Sequence, residues 1–286
     1  AEIDFLTKRQ YTQILAANDN IRDILSFDED EIIHTLRSKN YDFVIDLQNN
    51  YRSFKIRSAL RVKSYVFSKE NFKRYLLIYF GVDLLNNHIV DRYFKTVKKL
   101  NISNDNKGID YPLINPLKID FNTNQKYITW CIGGAHTRKQ LSAIQISNVL
   151  SKIKIPVVLL GGDKDQEISC EVIKNTNSNV YDFCGKTSIE DSAHLMKLSR
   201  LILTNDTGMM HIACAFDVPI ISFWGCTKPS LGFTPYMAHD MSINIVTSAS
   251  KRPCSKHGKY CRVQSNGCIK EISAKRIYDA VIGLLK

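Results

Sequence analysis

The sequence predicts an α/β protein of two domains, each an open doubly wound parallel sheet, with the two sheets facing an inter-domain cleft. Three observations point to the α/β class and its two halves. Short apolar runs alternate with segments of helical length along the chain, as parallel sheets with crossover helices require. The runs VVLL at 157–160, LILT at 201–204 and IISF at 220–223 are apolar nearly throughout, the mark of strands buried on both faces. The segment 101–125, NISNDNKGIDYPLINPLKIDFNTNQ, is rich in Asn and Asp, holds two prolines and lacks sustained periodicity. It reads as a linker.

In chain order, the apolar runs predict strands over 3–7, 43–47 and 64–67 before the linker. After it, strands are expected over 127–132, 157–160, 179–183, 201–204, 219–223 and 243–246. Helices fall between them over 10–18, 30–39, 51–60, 71–80, 141–151, 165–175, 188–199, 208–216 and 273–285. The domains are therefore expected to be 1–120 and 121–286, with the last helix available to pack back on the first domain.

Bulk properties narrow the class. The chain has 286 residues, 44% hydrophobic and 23% charged, ordinary for a globular protein and enough for two cores. No apolar stretch reaches the eighteen or so residues of a membrane span. The opening AEIDFLTKRQ has no apolar leader region and begins close to a strand, as though a preceding unit were missing. Of eight cysteines, most are scattered singly, which suits reduced thiols and a cytoplasmic setting. Cys254, Cys261 and Cys268, with His257 among them, form the alternative metal set. No C-x-x-C pair accompanies them, so the expected reading is no metal.

The formal charge of +11 is uneven. Arg52 to Arg74 holds eight Lys or Arg against Glu70, and Lys251 to Arg276 holds eight against Glu271. Such stretches attract polyanions: nucleic acid, an anionic membrane face or phosphorylated sugars. No helix-turn-helix, zinc-finger or RNP-type motif is present, so nucleic acid is not an expected partner.

Four strand-to-helix loops of the second half have the chemistry of a nucleotide site. In CIGGAHTRKQ, Gly133 and Gly134 let backbone approach a ligand, and Lys139 brings charge to a helix start. In LGGDKDQE, acids after Gly162 could accept from ribose hydroxyls or complement a helix dipole. Capping by Thr187 or Ser188 explains most of FCGKTS. In LTNDTGMMH, Asp206, Thr207, Gly208 and His211 crowd one strand-to-helix turn. Thr207 and Gly208 suit a phosphate there, while an N-cap for Asp206 and a half-buried helix histidine for His211 are the structural alternatives.

These residues resemble glycosyltransferase family 9, the ADP-heptose:lipopolysaccharide heptosyltransferases and their relatives. D-T-G-x-M-H-I-A-x-A from Asp206 and P-I-I-S-x-W-G-x-T-x-P from Pro219 are similar to the family signature. I-G-G-x-H-x-x-K-Q-L from Ile132, V-V-L-L-G-G-x-x-D-x-E from Val157 and D-F-C-G-K from Asp182 extend the likeness. So do D-L-Q-N-N-Y-R-S from Asp46, H-I-V-D-R-Y from His88 and the cysteine-bearing tail.

The resemblance implies the GT-B fold and inverting, metal-independent transfer of a heptose or related sugar from an ADP-sugar, with no cofactor. The implied acceptor is a lipopolysaccharide core or similar anionic glycan, reached from the cytoplasm at the inner face of the inner membrane. The donor set implied is Gly133, Gly134, His136, Lys139, Gly162, Glu167, Asp206, Thr207, Gly208, Met209 and His211. The acceptor set is Asn50, just ahead of the first basic stretch, and Arg52, Lys55 and Arg57 within it. The presumed catalytic base, an Asp, is expected in a strand-loop unit ahead of residue 1. Two other classes compete: a non-catalytic, nucleotide-sugar-binding remnant of the fold, and a nucleotide-sugar epimerase, for which the sequence offers no pocket or base.

Overall fold

The structure, a computed structural model, describes residues 1–286. It divides into two compact units, one of residues 1–71 with 87–107 and one of residues 72–86 with 108–286. The segment 72–86 therefore clusters with the second unit rather than with its sequence neighbours.

The first unit's strands pair as two parallel ladders. β1 (Asp4–Thr7) lies beside β2 (Asp23–Ser26), and β3 (Phe43–Asp46) beside β4 (Lys63–Val66). The predicted 10–18 helix shrinks to a 3-10 turn and α1 (Thr12–Leu15). The Thr12 hydroxyl donates to the Arg9 carbonyl rather than capping, so nothing extends the helix. α2 (Ile32–Ser38) and α3 (Tyr51–Leu60) fall where the pattern places them. Asn50 and Ser53 open α3 with a reciprocal capping box.

β2 has only two apolar residues, too few to register as a run. α5 (Ile89–Val97) also escapes the pattern, although Ile89, Tyr93 and Val97 recur every fourth residue behind a His88–Asp91 capping box. Asp4 ties the unit together. Arg22 donates to both its oxygens at 2.8 Å and the Tyr41 hydroxyl to one at 2.6 Å. The Arg22 guanidinium holds the Asp4 carboxyl well below the usual carboxylate range.

The second unit is one six-stranded, all-parallel sheet. Its strands are β5 (Ile128–Cys131), β6 (Val157–Leu160), β7 (Val180–Asp182), β8 (Ile202–Asn205), β9 (Ile220–Trp224) and β10 (Ile243–Val246). Their spatial order is β10-β9-β8-β5-β6-β7. Every residue of β5, β6, β8 and β9 is buried, which is why these runs are apolar without alternation.

Side chains still alternate between two cores, as the pleat demands. Ile128, Trp130, Val157, Leu159, Leu203 and Phe223 face α6 (Ala143–Leu150) and α10 (Ala274–Leu285). Cys131, Val158, Leu160, Ile202 and Ile220 face α8 (Ile189–Lys197) and α9 (Gly208–Ala213). α7 (Gln166–Lys174) packs beside α6, and α10 packs on α6 as well. α4 (Asn71–Phe80), after its first residue, belongs to this unit. Its Leu77 clusters with Leu85, Leu231 and Phe233.

The order of strands positions the site. From β5 the chain runs outward through β6 and β7, then returns to β8 on the other side of β5. The loops after β5 and β8 therefore diverge, leaving a crevice at the strands' carboxyl ends.

Candidate active site

A cavity of about 420 Å³ sits at that crevice. Ala135, His136 and Lys139 come to it from the loop after β5. Asp206, Thr207, Gly208 and His211 come from the turn after β8 and the start of α9, and Thr227 from the loop after β9. Phe233, Lys256, His257 and Lys259 close the remaining wall.

At its centre the Lys139 ammonium lies 2.7 Å from Asp206 Oδ2, and the Thr227 hydroxyl donates to that same oxygen at 2.7 Å. Both charged side chains are largely buried, 13% and 10% exposed. Asp206 is therefore engaged by a cation and a hydroxyl rather than serving as a helix cap. Thr207, the residue that does precede α9, makes no capping bond with its side chain. A Cβ added at Gly208 would meet nothing within 4 Å, so the glycine presents bare backbone to the cavity.

The titratable lining is cationic: three lysines against one aspartate. Desolvation, followed by the charges of Lys256, Arg74, Lys139 and Lys259, holds the His257 imidazole below its ordinary value of 6.5. It is neutral at pH 7, as a group among cations should be.

Several features keep the cationic loop in place. The Arg138 guanidinium donates to the Ser265 carbonyl at 2.8 Å and the Lys259 carbonyl at 2.7 Å. Gly258 adopts φ +77°, and a Cβ there would fall 2.5 Å from Lys139 Cγ. The loop backbone thus lies against the Lys139 stem, an approach and a conformation that glycine alone tolerates. Arg262 reaches the Ile78 carbonyl of α4 at 2.6 Å, and its guanidinium stacks 4.8 Å over Tyr79.

The structure gathers His136, Lys139, Asp206, Thr207, Gly208 and His211 of the expected donor set around the cavity. Met209 packs instead against the α8–α9 core. Gly162 and Glu167 are exposed and lie outside the lining. Gly133 serves an internal contact. Its added Cβ would strike Asp165 Oδ2 at 2.5 Å, and Gly134 lies against Gln140 in the same way. Asp165 accepts from Gln140 Nε2 and from the Gly162 N–H, each at 2.9 Å, and so ties the two glycine loops to each other. Asn205 adds a further tie through the Ile132 and Gly133 carbonyls at 2.9 and 3.0 Å.

Phe233, Lys256 and Lys259 are lining residues that no motif announced, and Thr227 lies within the P-I-I-S-x-W-G-x-T-x-P motif but outside the expected donor set. The only sequence signal for the two lysines was the basic stretch 251–276.

The expected acceptor residues all sit at α3 of the first unit. Asn50 accepts from the Ser53 N–H at 3.0 Å as the helix cap. Arg57 lies 3.7 Å from Asp46, while Arg52 and Lys55 stack over Phe27 and Tyr51.

The alternative metal set needs a correction. His257 lines the cavity, and the fourth member of the sulfur cluster is Cys226, which follows β9. A residue nearly thirty positions away cannot be found by local spacing.

The model of glycosyltransferase family 9 (heptosyltransferase) matches residues 30–264. The chain belongs to this family. Lipopolysaccharide heptosyltransferase 2 of Salmonella typhimurium is 35% identical over 100 residues, which is 33% of this chain and 28% of that protein. The matched segment thus spans little more than a quarter of that relative's length.

Two solved structures share the fold over nearly the whole chain. A glycosyl transferase family 9 protein from Veillonella parvula superimposes with TM-score 0.81 at 20% identity, covering 99% of this chain and 88% of that one. ADP-heptose lps heptosyltransferase II of E. coli gives 0.73 at 19% identity, covering 100% and 89%. The fold of this family 9 member is therefore the α/β, GT-B architecture. No helix in it is long and apolar enough to cross a membrane.

Proposed function

We propose that this family 9 chain transfers a heptose, or a closely related sugar, from an ADP-sugar to the core of a lipopolysaccharide. The single observation that carries this reading is the cationic cavity at the β5/β8 crevice, centred on Lys139, Asp206 and Thr227. A nucleoside diphosphate-sugar is an anion of the right class for it. Its diphosphate meets the Lys139, Lys256 and Lys259 side, and the bare backbone at Gly208 allows close approach. The donor nucleotide named for the E. coli neighbour is ADP-heptose, and the Salmonella relative is named for lipopolysaccharide. Both support the same assignment.

The chemistry follows from the charge. When the anomeric carbon–oxygen bond breaks, the leaving ADP gains negative charge, and preplaced ammonium groups stabilise it. We assign that neutralisation to the lysines. The acceptor hydroxyl attacks from the face opposite the leaving group and yields its proton to a general base, so the anomeric configuration inverts. Asp206, held by Lys139 and Thr227, fixes the lysine's position rather than leaving it to swing on its flexible stem.

For the acceptor, we assign α3. It carries Arg52, Lys55 and Arg57 beside the exposed rings of Tyr51 and Phe54. Cations interleaved with exposed aromatics suit the phosphates and carboxylates of an inner core and an anionic lipid face.

The test is a transfer assay with ADP-heptose and heptose-deficient lipopolysaccharide. The reading expects the acceptor to gain one heptose with equimolar ADP released. Reversing Arg52, Lys55 and Arg57 to Glu should raise the acceptor KM at least tenfold with little change in ADP affinity. An unchanged acceptor KM would remove α3 from the account.

A further inference from the structure

We propose that Cys226, Cys254, Cys261 and Cys268 form a four-thiolate site for a tetrahedral, thiophilic metal ion, zinc or iron. The site would act as a structural clasp on the cavity's cationic wall. The expectation of no metal rested on the missing C-x-x-C pair, but the fold supplies what the spacing lacks. Cys226 follows the end of β9, and the loop 254–268 returns to it. The Cys254 N–H donates to the Cys226 carbonyl at 2.8 Å, which holds the two segments together at the cluster.

The geometry is that of a ligand set. All four sulfurs lie within 4.8 Å of one another. Cys254 and Cys261 Sγ are 3.8 Å apart, and Cys226 and Cys268 Sγ 3.7 Å. A tetrahedral centre with metal–sulfur bonds of about 2.3 Å has sulfur–sulfur edges of about 3.8 Å. Disulfide bonding would need about 2.05 Å, and all four cysteines are unpaired. Cys226, Cys254 and Cys268 are fully buried and Cys261 partly exposed, so the cluster is closed except on one side.

Packed thiols alone could fill a small apolar gap. The convergence of four sulfurs from two separate segments of chain argues against that. A divalent ion bound there would displace four thiol protons to solvent and leave a centre of net charge −2. Lys228, two residues on from Cys226, is buried nearby, its amino group donating to the Thr247 carbonyl at 2.9 Å.

The consequence reaches the proposed donor pocket, and this part rests on that reading. Thr227 follows Cys226, and Lys256, His257 and Lys259 lie between Cys254 and Cys261. The clasp would fix the loop bearing three lining residues to the strand end bearing a fourth. The four cysteines are positioning residues in this scheme, not catalytic ones.

The test uses the full chain purified under reducing conditions. Elemental analysis should find one zinc or iron per chain, and the element found identifies the ion. Cys226→Ala and Cys268→Ala should lose it, while Cys170→Ala, altering an exposed cysteine outside the cluster, should retain it. Should the variants fail to fold, wild type stripped by chelator and reloaded with cobalt(II) should show the intense visible bands of tetrahedral thiolate-bound cobalt. Metal-free, folded wild type with no cobalt spectrum would overturn the proposal, as would disulfides joining these four cysteines in freshly isolated reduced protein. Cys261→Ala should also weaken ADP binding several-fold, whereas Lys139→Ala should weaken it without changing metal content. Metal retention with no nucleotide binding would thus sink the donor reading and leave the metal site standing.

Discussion

Asp206 Oδ2 receives both the Lys139 ammonium and the Thr227 hydroxyl, and that junction sets the chemistry at the scale of single residues. Charge-assisted bonds of this kind contribute roughly 1.5–3 kcal/mol each. Lys139→Ala should therefore reduce nucleotide affinity by about ten- to a hundredfold, read by calorimetric titration. Thr227→Val keeps the shape and removes only the hydroxyl, so its effect should be the smaller of the two.

His257 gives a pH signature. Its folded, ligand-free pKa is lowered from 6.5, and a bound polyanion would raise it again. Between those values, binding takes up a proton, so affinity for ADP should rise as pH falls through that window. His257→Gln should flatten that rise, and a profile unchanged by the substitution would remove His257 from the site. Asp4 gives the opposite sense for stability. Its folded pKa is depressed below 3.8, so its contribution is complete above that value and is lost as pH falls through the folded pKa. Asp4→Asn should lower stability at neutral pH and reduce its steepness in acid, measured by denaturant midpoints from pH 7 to 2.5.

At the scale of elements, what was legible depended on sequence distance. His136, Lys139, Asp206, Thr207, Gly208 and His211 could be read because each sits within a few residues of a strand end, and the strand ends were plain. Lys256 and Lys259 could not, because a long loop after β10 brings them in, and Phe233 lies nine residues beyond β9; Thr227 is only three residues past β9, but a lone threonine there carries no signal of its own. The glycine loops were only half legible. Gly133 and Gly161 are required by the Asp165 side chain packed against them, and sequence alone cannot separate that need from a ligand's.

A 3-10 turn, Cys268–Glu271, accounts for Gly225. A Cβ there would lie 2.5 Å from Ile269 Cβ and 2.8 Å from its backbone nitrogen. Gly225→Ala should cost about 1–3 kcal/mol through overpacking, seen as a lower denaturant midpoint at unchanged slope. A neutral outcome would mean that the turn Cys268–Glu271 is not held where the structure places it.

Over the whole molecule, the second unit was far more legible than the first. VVLL, LILT and IISF are buried on both faces, and that constraint writes itself into composition. The first unit's strands are four residues long with mixed burial, and β2 carries two apolar residues. α4 shows the limit most clearly. Its first four residues end the first basic stretch by sequence, yet from Phe72 onward it clusters with the second unit, through Leu77 packing near Leu231 and Phe233. No local signal carries that choice.

The excess of eleven positive charges also has a molecular consequence. Association with an anionic donor and acceptor should slow as salt rises, because screening shortens the reach of the field to about 8 Å at physiological ionic strength.

The most direct measurement of the central claim is calorimetric titration of ADP, UDP and GDP into wild type and Lys139→Ala. The account predicts binding selective for ADP, weakened at least tenfold by the substitution. Equal affinity for all three nucleotides in both proteins, or no binding at all, would contradict it.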